Sequence, residues 1–216
     1  FDNGLVTTRL FNHAGELISV ANGTSTVSAS FGTTTYAYDA DGRLRIVTDP
    51  LGTRVFHFYD NAGREIGIVD GDGSLTEFIY DRANHPIKTI RYAELLSSTV
   101  LASLVDTNGN PVDVPFGDVR AAADGNPNLD RITRSVYDAG GQLLYTLDEA
   151  GAVTKFIRDA AGRITEEVRY ATPITIARTV DQVHEADLTI QTSANDRHTR
   201  RFYDKDSNLV GVVDAD

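Results

Sequence analysis

Residues 38–44 read Tyr38-Asp39-Ala40-Asp41-Gly42-Arg43-Leu44. The Tyr-Asp pair or its aspartate returns at steps of 21 residues, at Asp39, Asp60 and Asp81 and again at Asp138 and Asp159, with a further copy at Tyr203-Asp204. Self-similarity at a period of about 20 to 50 residues indicates an array whose units bury one another's apolar faces. We therefore expect function to lie in the array and not in a pocket within one unit.

Each repeat contains signals for two turns. Three residues after the first aspartate stands a glycine, at Gly42, Gly63, Gly141 and Gly162. Ten residues after it stands a second aspartate, at Asp49, Asp70, Asp148 and Asp214, and thirteen residues after it another glycine, at Gly52, Gly73 and Gly151. Aspartate begins such turns by bonding its own backbone, and glycine supplies a positive φ. Two turns per repeat leave room for two strands of about five to seven residues.

The segments between the turns alternate between apolar and polar side chains. Phe56 and Phe58 flank His57, for example, and further alternating sets are Thr34, Tyr36 and Tyr38, then Leu44 and Ile46, then Ile66 and Ile68, and then Thr76, Phe78 and Tyr80. This period of two is typical of half-buried antiparallel strands. The sequence predicts an all-β fold with minor α-structure: a curled antiparallel hairpin meander with one aromatic and aliphatic face.

A longer period is superimposed on the short one. Residues 67–93 resemble residues 145–171 at a spacing of 78, and both stretches end in Arg-Tyr-Ala. Non-repeat inserts follow at 94–131 and 172–197, and we expect helix within 93–105, 119–123 and 180–188. Such inserts are expected to lie over the sheet or to cover an open edge. We interpret residues 1–216 as a single array.

The composition limits the classes of partner and compartment. The chain has 216 residues, 41% of them hydrophobic, which is enough for a packed interior. Its net charge of −11 argues against a nucleic-acid backbone or an anionic membrane as a partner. There is no cysteine, which excludes disulfides and thiolate metal sites, and no apolar run of about 18 residues. Because no methionine is present, we expect a fragment of a longer chain.

The motif Tyr-Asp-x-x-Gly-Arg-Leu, followed by Asp-Pro-Leu-Gly at 49–52, resembles the YD repeat of the rearrangement-hotspot (Rhs) family. That family includes the shell component of bacterial insecticidal toxin complexes and, in animals, the teneurins. The matching units span about 31–93 and 134–171, with a last unit from 200 and a degenerate first one at 11–17. The resemblance implies a long β-sheet spiralling into a hollow shell, exported or surface-exposed, that encloses a toxic domain or presents an adhesive surface. The family's self-cleavage region has no match here.

Several residues are candidates for chemical sites, and none is predicted to be one. Asp49 with Asp70 could form a hydrolase pair, but repeat aspartates are better explained as turn caps, since catalysis needs one special place. The five histidines lack metal spacing, and Ser97-Ser98 has no evident base. The strand aromatics could stack on sugars, although a cross-strand core ladder explains them better. We predict no catalytic, cofactor-binding or metal-binding residue.

The alternative to having no cofactor is a bound calcium ion. Asp70-Gly71-Asp72-Gly73 and Asp106-Thr107-Asn108-Gly109-Asn110 place oxygen atoms at alternate positions, as calcium loops do, but neither completes an EF-hand. We expect plain turns there.

The sequence therefore predicts a non-enzymatic structural array from a large exported bacterial protein, secreted or at the cell surface. Its expected partners are other segments of the same long chain and an enclosed toxin domain or effector. The alternative is an adhesion module that binds a surface glycan or protein, with the inserts as recognition loops. Neither interpretation involves nucleic acid or insertion into a membrane.

Overall fold

The computed structural model describes residues 4–24 and 30–215, and the strands of this part of the chain follow one another in hairpins. The strands are β1 (Leu5–Phe11), β2 (Leu17–Thr24), β3 (Ser30–Tyr38), β4 (Leu44–Thr48), β5 (Arg54–Tyr59), β6 (Glu65–Val69), β7 (Leu75–Tyr80), β8 (Pro86–Arg91), β9 (Arg131–Tyr137), β10 (Leu143–Leu147), β11 (Val153–Arg158), β12 (Ile164–Arg169), β13 (Arg197–Tyr203) and β14 (Leu209–Ala215). They form one sheet in the order of the chain. The predicted all-β antiparallel hairpin meander is confirmed.

Helical structure is confined to the inserts. The described residues contain two α-helices, α1 (Ser98–Ser103) and α2 (Phe116–Ala123), and single 3-10 turns at Pro127–Leu129 and Glu185–Asp187. Neither α-helix has the length or the apolar character to cross a bilayer. The helical turn predicted at 119–123 is confirmed and begins three residues earlier.

Two of the predicted helices are wrong in extent. In the stretch 93–105 only Ser98–Ser103 is helical, because the N–H of Leu96 bonds to the carbonyl of Gly73 and not to that of Tyr92, four residues before it. Ser97 then caps the helix, accepting a hydrogen bond from the N–H of Val100 at 3.3 Å.

In the stretch 180–188 only Glu185–Asp187 is helical, as a 3-10 turn. A helix through this stretch would need the carbonyl of Val180 as an intrahelical acceptor. That carbonyl instead accepts hydrogen bonds from the guanidinium of Arg134, at 3.2 and 3.3 Å. Lys88, which is 3% exposed, likewise donates to the carbonyl of Arg178 and to Asp181, both at 2.8 Å. Buried cations thus hold this insert in an extended form.

The chain divides into two compact units. The first contains the described residues up to Glu77 together with Arg91–Asp130, and the second contains Phe78–Ile90 together with the described residues from Arg131 onward. The core of the first unit includes Ile46, Phe56, Phe58, Val69, Leu75, Leu104, Val119 and Ala123. The core of the second includes Val136, Tyr145, Leu147, Val153 and Val183.

The prediction of the buried face is correct for β4 and β5 and wrong for β6 and β7. Ile46, Phe56 and Phe58 are buried as expected. In β6 and β7 the buried positions are Gly67, Val69, Leu75 and Glu77, and Ile66, Ile68, Thr76 and Phe78 are only half-buried. The apolar alternation of the sequence does not reveal this face, because the face includes a glycine and a glutamate. Burial of these two residues depends on side chains that the first insert brings onto the sheet.

Candidate functional site

The Tyr-Asp corner is the most regular feature of the described chain, and it begins with a turn made by the aspartate. At Asp39 the backbone carbonyl accepts from the N–H of Gly42 at 3.1 Å, and the backbone N–H donates to the carbonyl of Arg43 at 2.9 Å. The carboxylate oxygen Oδ1 of Asp39 also accepts from the N–H groups of Asp41 and Arg43. This is a three-residue hairpin loop that ends in a left-handed residue, and Gly42 supplies that conformation with a φ of 77°.

The same turn closes nearly every hairpin of the described chain. It recurs with the same backbone bonds at Asn12, Asp49, Asp60, Asp70, Asp81, Asp106, Asp138, Asp148, Asp159 and Asp204. Where glycine is missing from the fourth position, Asn84 and Ser207 adopt the positive φ, at 68° and 66°. The predicted pairing of aspartate with glycine at two turns per repeat is therefore confirmed, except at Asp214, which lies within β14.

A basic residue after the turn hydrogen-bonds to the other carboxylate oxygen of the aspartate, Oδ2. Arg43, Arg64 and Arg163 each bond to Oδ2 of the aspartate four residues before, with Nε–Oδ2 distances of 2.8, 2.7 and 2.8 Å. The hydrogen bond from the Arg163 side chain, supported by backbone N–H groups, lowers the pKa of Asp159. The carboxylate is therefore held ionised at neutral pH, where it caps the turn most strongly.

The tyrosine links its corner to the preceding repeat at Tyr38 and at Tyr203. The hydroxyl of Tyr38 donates to the carbonyl of Leu17, and that of Tyr203 donates to the carbonyl of Ile164, both at 2.9 Å. Each acceptor stands five residues after the turn residue of the neighbouring corner, at Asn12 and Asp159. Burial is the main cause that raises the pKa of Tyr38. The hydroxyl thus stays a neutral donor.

The arginine that follows the turn contacts the next repeat along the chain, whereas the tyrosine contacts the preceding one. Arg43 lies 5.4 Å from the centre of the Tyr59 ring and donates to the carbonyl of Asp60 at 3.2 Å. Arg163 lies 4.8 Å from the centre of the Tyr203 ring. One repeat therefore supplies the arginine and a carbonyl, and the next supplies the tyrosine ring and hydroxyl. The spacing of 21 residues signalled these positions, but only the strand pairing shows that they meet.

The acid pair considered from the sequence belongs to two separate turns. Oδ1 of Asp49 accepts from the N–H groups of Leu51 and Thr53, both at 2.8 Å. Oδ2 of Asp70 is bonded by the hydroxyl of Ser74 at 3.4 Å. These contacts assign both aspartates to turn formation. The chemistry that this arrangement supports is capping, and the absence of a catalytic residue stays a prediction.

The two calcium-like loops are further copies of the same turn. Oδ1 of Asp106 accepts from the N–H groups of Asn108 and Asn110, both at 2.8 Å, and Oδ1 of Asp72 accepts from the N–H of Ser74 at 2.9 Å. Within residues 4–24 and 30–215, no group of three or more His, Asp or Glu side chains is arranged to hold a metal ion. The absence of a cofactor remains a prediction.

Three histidines pair with carboxylates, each in a different part of the sheet. Nδ1 of His57 lies 2.6 Å from Glu65, that of His85 lies 3.0 Å from Asp81, and that of His198 lies 2.9 Å from Glu166. The ring of His85 also stacks on Tyr137, with centres 4.5 Å apart. Such pairs join neighbouring residues or strands, which is a structural role.

A cleft of about 830 Å³ lies within the first unit, between β2–β4 and the part of the insert at 110–113. Its wall combines the ring of Tyr36 with Arg45, Asn110 and Asp113. Arg45 also lies 5.3 Å from the centre of the Phe58 ring. A flat aromatic ring beside amide, carboxylate and guanidinium groups is a surface that a polar ligand such as a sugar could contact.

Comparisons with known proteins agree with the repeat. Residues 11–54 match the family described as RHS Repeat. The crystal structure of TcdB2-TccC3 matches 97% of this chain with 18% identity and a TM-score of 0.52. That of TcdB2-TccC3 without hypervariable C-terminal region matches 96% with 17% identity and the same TM-score, 0.52. Both likenesses show the fold.

The chain spans 10% of the length of each of those two proteins. No curated protein sequence matches it. The resemblance predicted from the Tyr-Asp motifs is nevertheless confirmed by the family match over residues 11–54, by the recurring corner and by the shared sheet fold. Residues 11–54 thus match the Rhs repeat, and the Tyr-Asp corner found there recurs along the described chain.

Proposed function

We propose that the chain is a non-enzymatic structural segment of a large exported bacterial Rhs/YD-repeat protein. Its hairpins form part of a shell or scaffold that encloses or presents a toxin or effector outside the cell. Residues 1–216 act as a single array, whose partners are other segments of the same long chain and the enclosed domain. The observation that carries the proposal is the strand order, because the fourteen strands of the described residues pair with their neighbours in the order of the chain.

The linked corners support a mechanical role. A repeat that only filled space would need its own core, whereas here the corner at Tyr203 receives both a hydrogen-bond acceptor and a cation–ring contact from its neighbour. Such a sheet extends by adding repeats, and its strength grows with each added corner. Both turns of a repeat are needed to join its strands. The inserts are therefore the part of the array that can vary.

The experiment uses the longer protein that contains this segment. We expect its downstream domain to resist protease in the intact protein and to become susceptible when Arg163→Ala and Tyr203→Ala break one corner. Lys205→Ala is the matched control, because Lys205 is 89% exposed at its side chain. A downstream domain that is cleaved equally fast in all three proteins would contradict the shell.

The second candidate function is adhesion, and the cleft between β2–β4 and the first insert favours it. We propose for this case a neutral or weakly charged glycan as the ligand, contacting Tyr36, Asn110 and Asp113. A glycan array probed with the full chain tests it, with Tyr36→Ala and a variant lacking 94–131 as comparisons. Binding that survives both changes, or no binding at all, would rule out this cleft as the adhesive site.

A further inference from the structure

The two inserts are anchored to the sheet by the same contacts. The N–H of Leu96 donates to the carbonyl of Gly73 at 2.9 Å, and 78 residues later the N–H of Ile174 donates to that of Gly151 at 2.9 Å. The far ends also match, because Asp130 accepts from the N–H of Ala93 at 2.8 Å. Asp196 accepts in the same way from the N–H of Ala171, at 2.9 Å.

Between these common anchors, one cross-strand pair of the sheet changes in both size and charge. In the first unit Gly67 of β6 pairs with Glu77 of β7. In the second unit the residues 78 positions later are Tyr145 of β10 and Lys155 of β11, and they pair in the same way. The first unit thus has a small residue beside an anion, and the second unit has a large residue beside a cation at the equivalent positions. The anchors on either side are unchanged, and this is the pair toward which the two inserts place oppositely charged side chains.

The first insert complements its pair in size and charge. A Cβ atom at Gly67 would lie 2.2 Å from Cε2 of Phe116, so the Phe116 ring occupies the space that glycine leaves. One helical turn later Arg120 donates to Oε1 of Glu77 at 3.3 Å. Glu77 is 5% exposed and also accepts from the hydroxyl of Tyr92 at 2.6 Å. An aromatic ring and a cation on α2 therefore match a glycine and an anion on the sheet.

The second insert complements the opposite pair. Tyr145 is 4% exposed and fills the position itself, and the insert places the smaller Val183 in the same buried cluster. Nζ of Lys155 lies 5.2 Å from the centre of the Tyr145 ring, and the hydroxyl of that ring donates to Glu185 at 3.0 Å. The insert thus contributes an anion toward the cation on the sheet, with the tyrosine between them.

We propose that this cross-strand pair is a recognition surface that matches each insert to its own repeat unit. Gly67–Glu77 accepts a segment with an aromatic residue and a basic residue four positions apart. Tyr145–Lys155 accepts a segment with an aliphatic residue and an acidic residue two positions apart. The inserts are therefore not interchangeable, and either pair could be written into another repeat to receive the corresponding insert.

A charge exchange in the second unit tests the proposal in the full chain. Lys155→Glu and Glu185→Lys are each expected to speed limited proteolysis within 172–195, because each places like charges beside the Tyr145 hydroxyl. The double variant restores the attraction and is expected to be cleaved at nearly the original rate. Lys205→Glu, the same charge change at an exposed site, should leave cleavage unchanged. A double variant whose cleavage is the product of the two single effects would overturn the proposal.

An exchange of inserts tests the size requirement independently. In the full chain, residues 172–195 are replaced by a copy of 94–129, with or without Tyr145→Gly and Lys155→Glu. We expect the copied insert to be cleaved at least about tenfold more slowly when both substitutions are present, since cleavage follows the open fraction of the segment. Equal cleavage with and without the substitutions would show that the common anchors alone hold the insert.

Discussion

The guanidinium of Arg163 lies 4.8 Å from the centre of the Tyr203 ring, whose hydroxyl donates to the carbonyl of Ile164 at 2.9 Å. Arg163 also bonds to Asp159 four residues before it. One side chain therefore closes its own turn and contacts the tyrosine of the next corner. This relationship explains why tyrosine, aspartate and arginine recur together: the arginine and the tyrosine each contact a neighbouring repeat, and the aspartate holds the arginine in place.

The tyrosine hydroxyl and ring should contribute separately to stability. Tyr203→Phe removes the hydrogen bond to Ile164 and is expected to lower the free energy of unfolding by about 0.5–1.5 kcal/mol. Tyr203→Leu also removes the ring beside Arg163 and should cost about 0.5–1 kcal/mol more. Urea unfolding followed by circular dichroism measures both. Tyr203→Phe and Tyr203→Leu of equal stability would show that the cation–ring contact contributes nothing.

The residue at the fourth turn position should also contribute to the free energy of unfolding, through its left-handed backbone conformation. Gly162 has a φ of 80°, and a Cβ there would meet nothing closer than Gln142 at 3.8 Å. Gly162→Ala is therefore a test of backbone strain without a clash, and it is expected to lower the free energy of unfolding by about 1–2 kcal/mol.

The control for that substitution is Gly117→Ala, because Gly117 lies in α2 with nothing within 4 Å of a Cβ and alanine favours helix. It should be neutral or stabilising. The reverse change, Ser207→Gly at a φ of 66°, should raise the unfolding midpoint. A loss at Gly117 as large as that at Gly162 would contradict the strain argument.

Local chemistry explains how much of the fold could be predicted from the sequence. The turns were predictable because aspartate, glycine and the residue at the fifth position act within five residues of one another, as at Asp39, Gly42 and Arg43. The tyrosine link was not, since Tyr203 and Ile164 are 39 residues apart and meet only through strand pairing.

The secondary structure of the inserts could not be predicted correctly for a related reason. Helix was predicted at 180–188 from local apolar residues, but the buried Arg134 takes the carbonyl of Val180, and the buried Lys88 bonds to the side chain of Asp181. The buried role of Glu77 likewise depends on Tyr92 and Arg120, which lie 15 and 43 residues away. Contacts of that range leave no periodic signal, whereas the capping role of Asp49 and Asp70 was visible locally.

The carboxylate of Asp130 should hold the end of the first insert. It is 5% exposed and accepts from the N–H of Ala93 at 2.8 Å. Asp130→Ala leaves that N–H without this acceptor and is expected to lower the free energy of unfolding by about 1–3 kcal/mol. Chemical denaturation measures the loss, and hydrogen exchange should show faster exchange at Ala93. Unchanged exchange at Ala93 would mean that the backbone is held by other contacts.

Acid should weaken the corners together, and the direction follows from their carboxylates. Hydrogen bonds from Arg163 lower the pKa of Asp159, and hydrogen bonds from Asn208 lower that of Asp204, each from an ordinary value of 3.8. The pKa of Glu166 is lowered from 4.5 by hydrogen bonds from His198 and Arg200. A lowered folded-state pKa means that the ionised form stabilises the fold. That contribution is complete above the unfolded-state value and is lost as pH falls through the folded-state value.

We therefore expect the urea midpoint to be insensitive to these groups from pH 7 to about 5 and to fall below about pH 4. Asp159→Asn keeps an oxygen to accept backbone N–H bonds but removes the charge that pairs with Arg163. This variant should start from a lower midpoint at pH 7 and lose less of it on acidification. Below the isoelectric point of about 4.8 the net charge is positive and grows on further acidification, so repulsion also lowers the midpoint there. An Asp159→Asn variant that loses as much of its midpoint as the unchanged protein below about pH 4 would therefore show that repulsion, and not the ionised corner, governs acid stability.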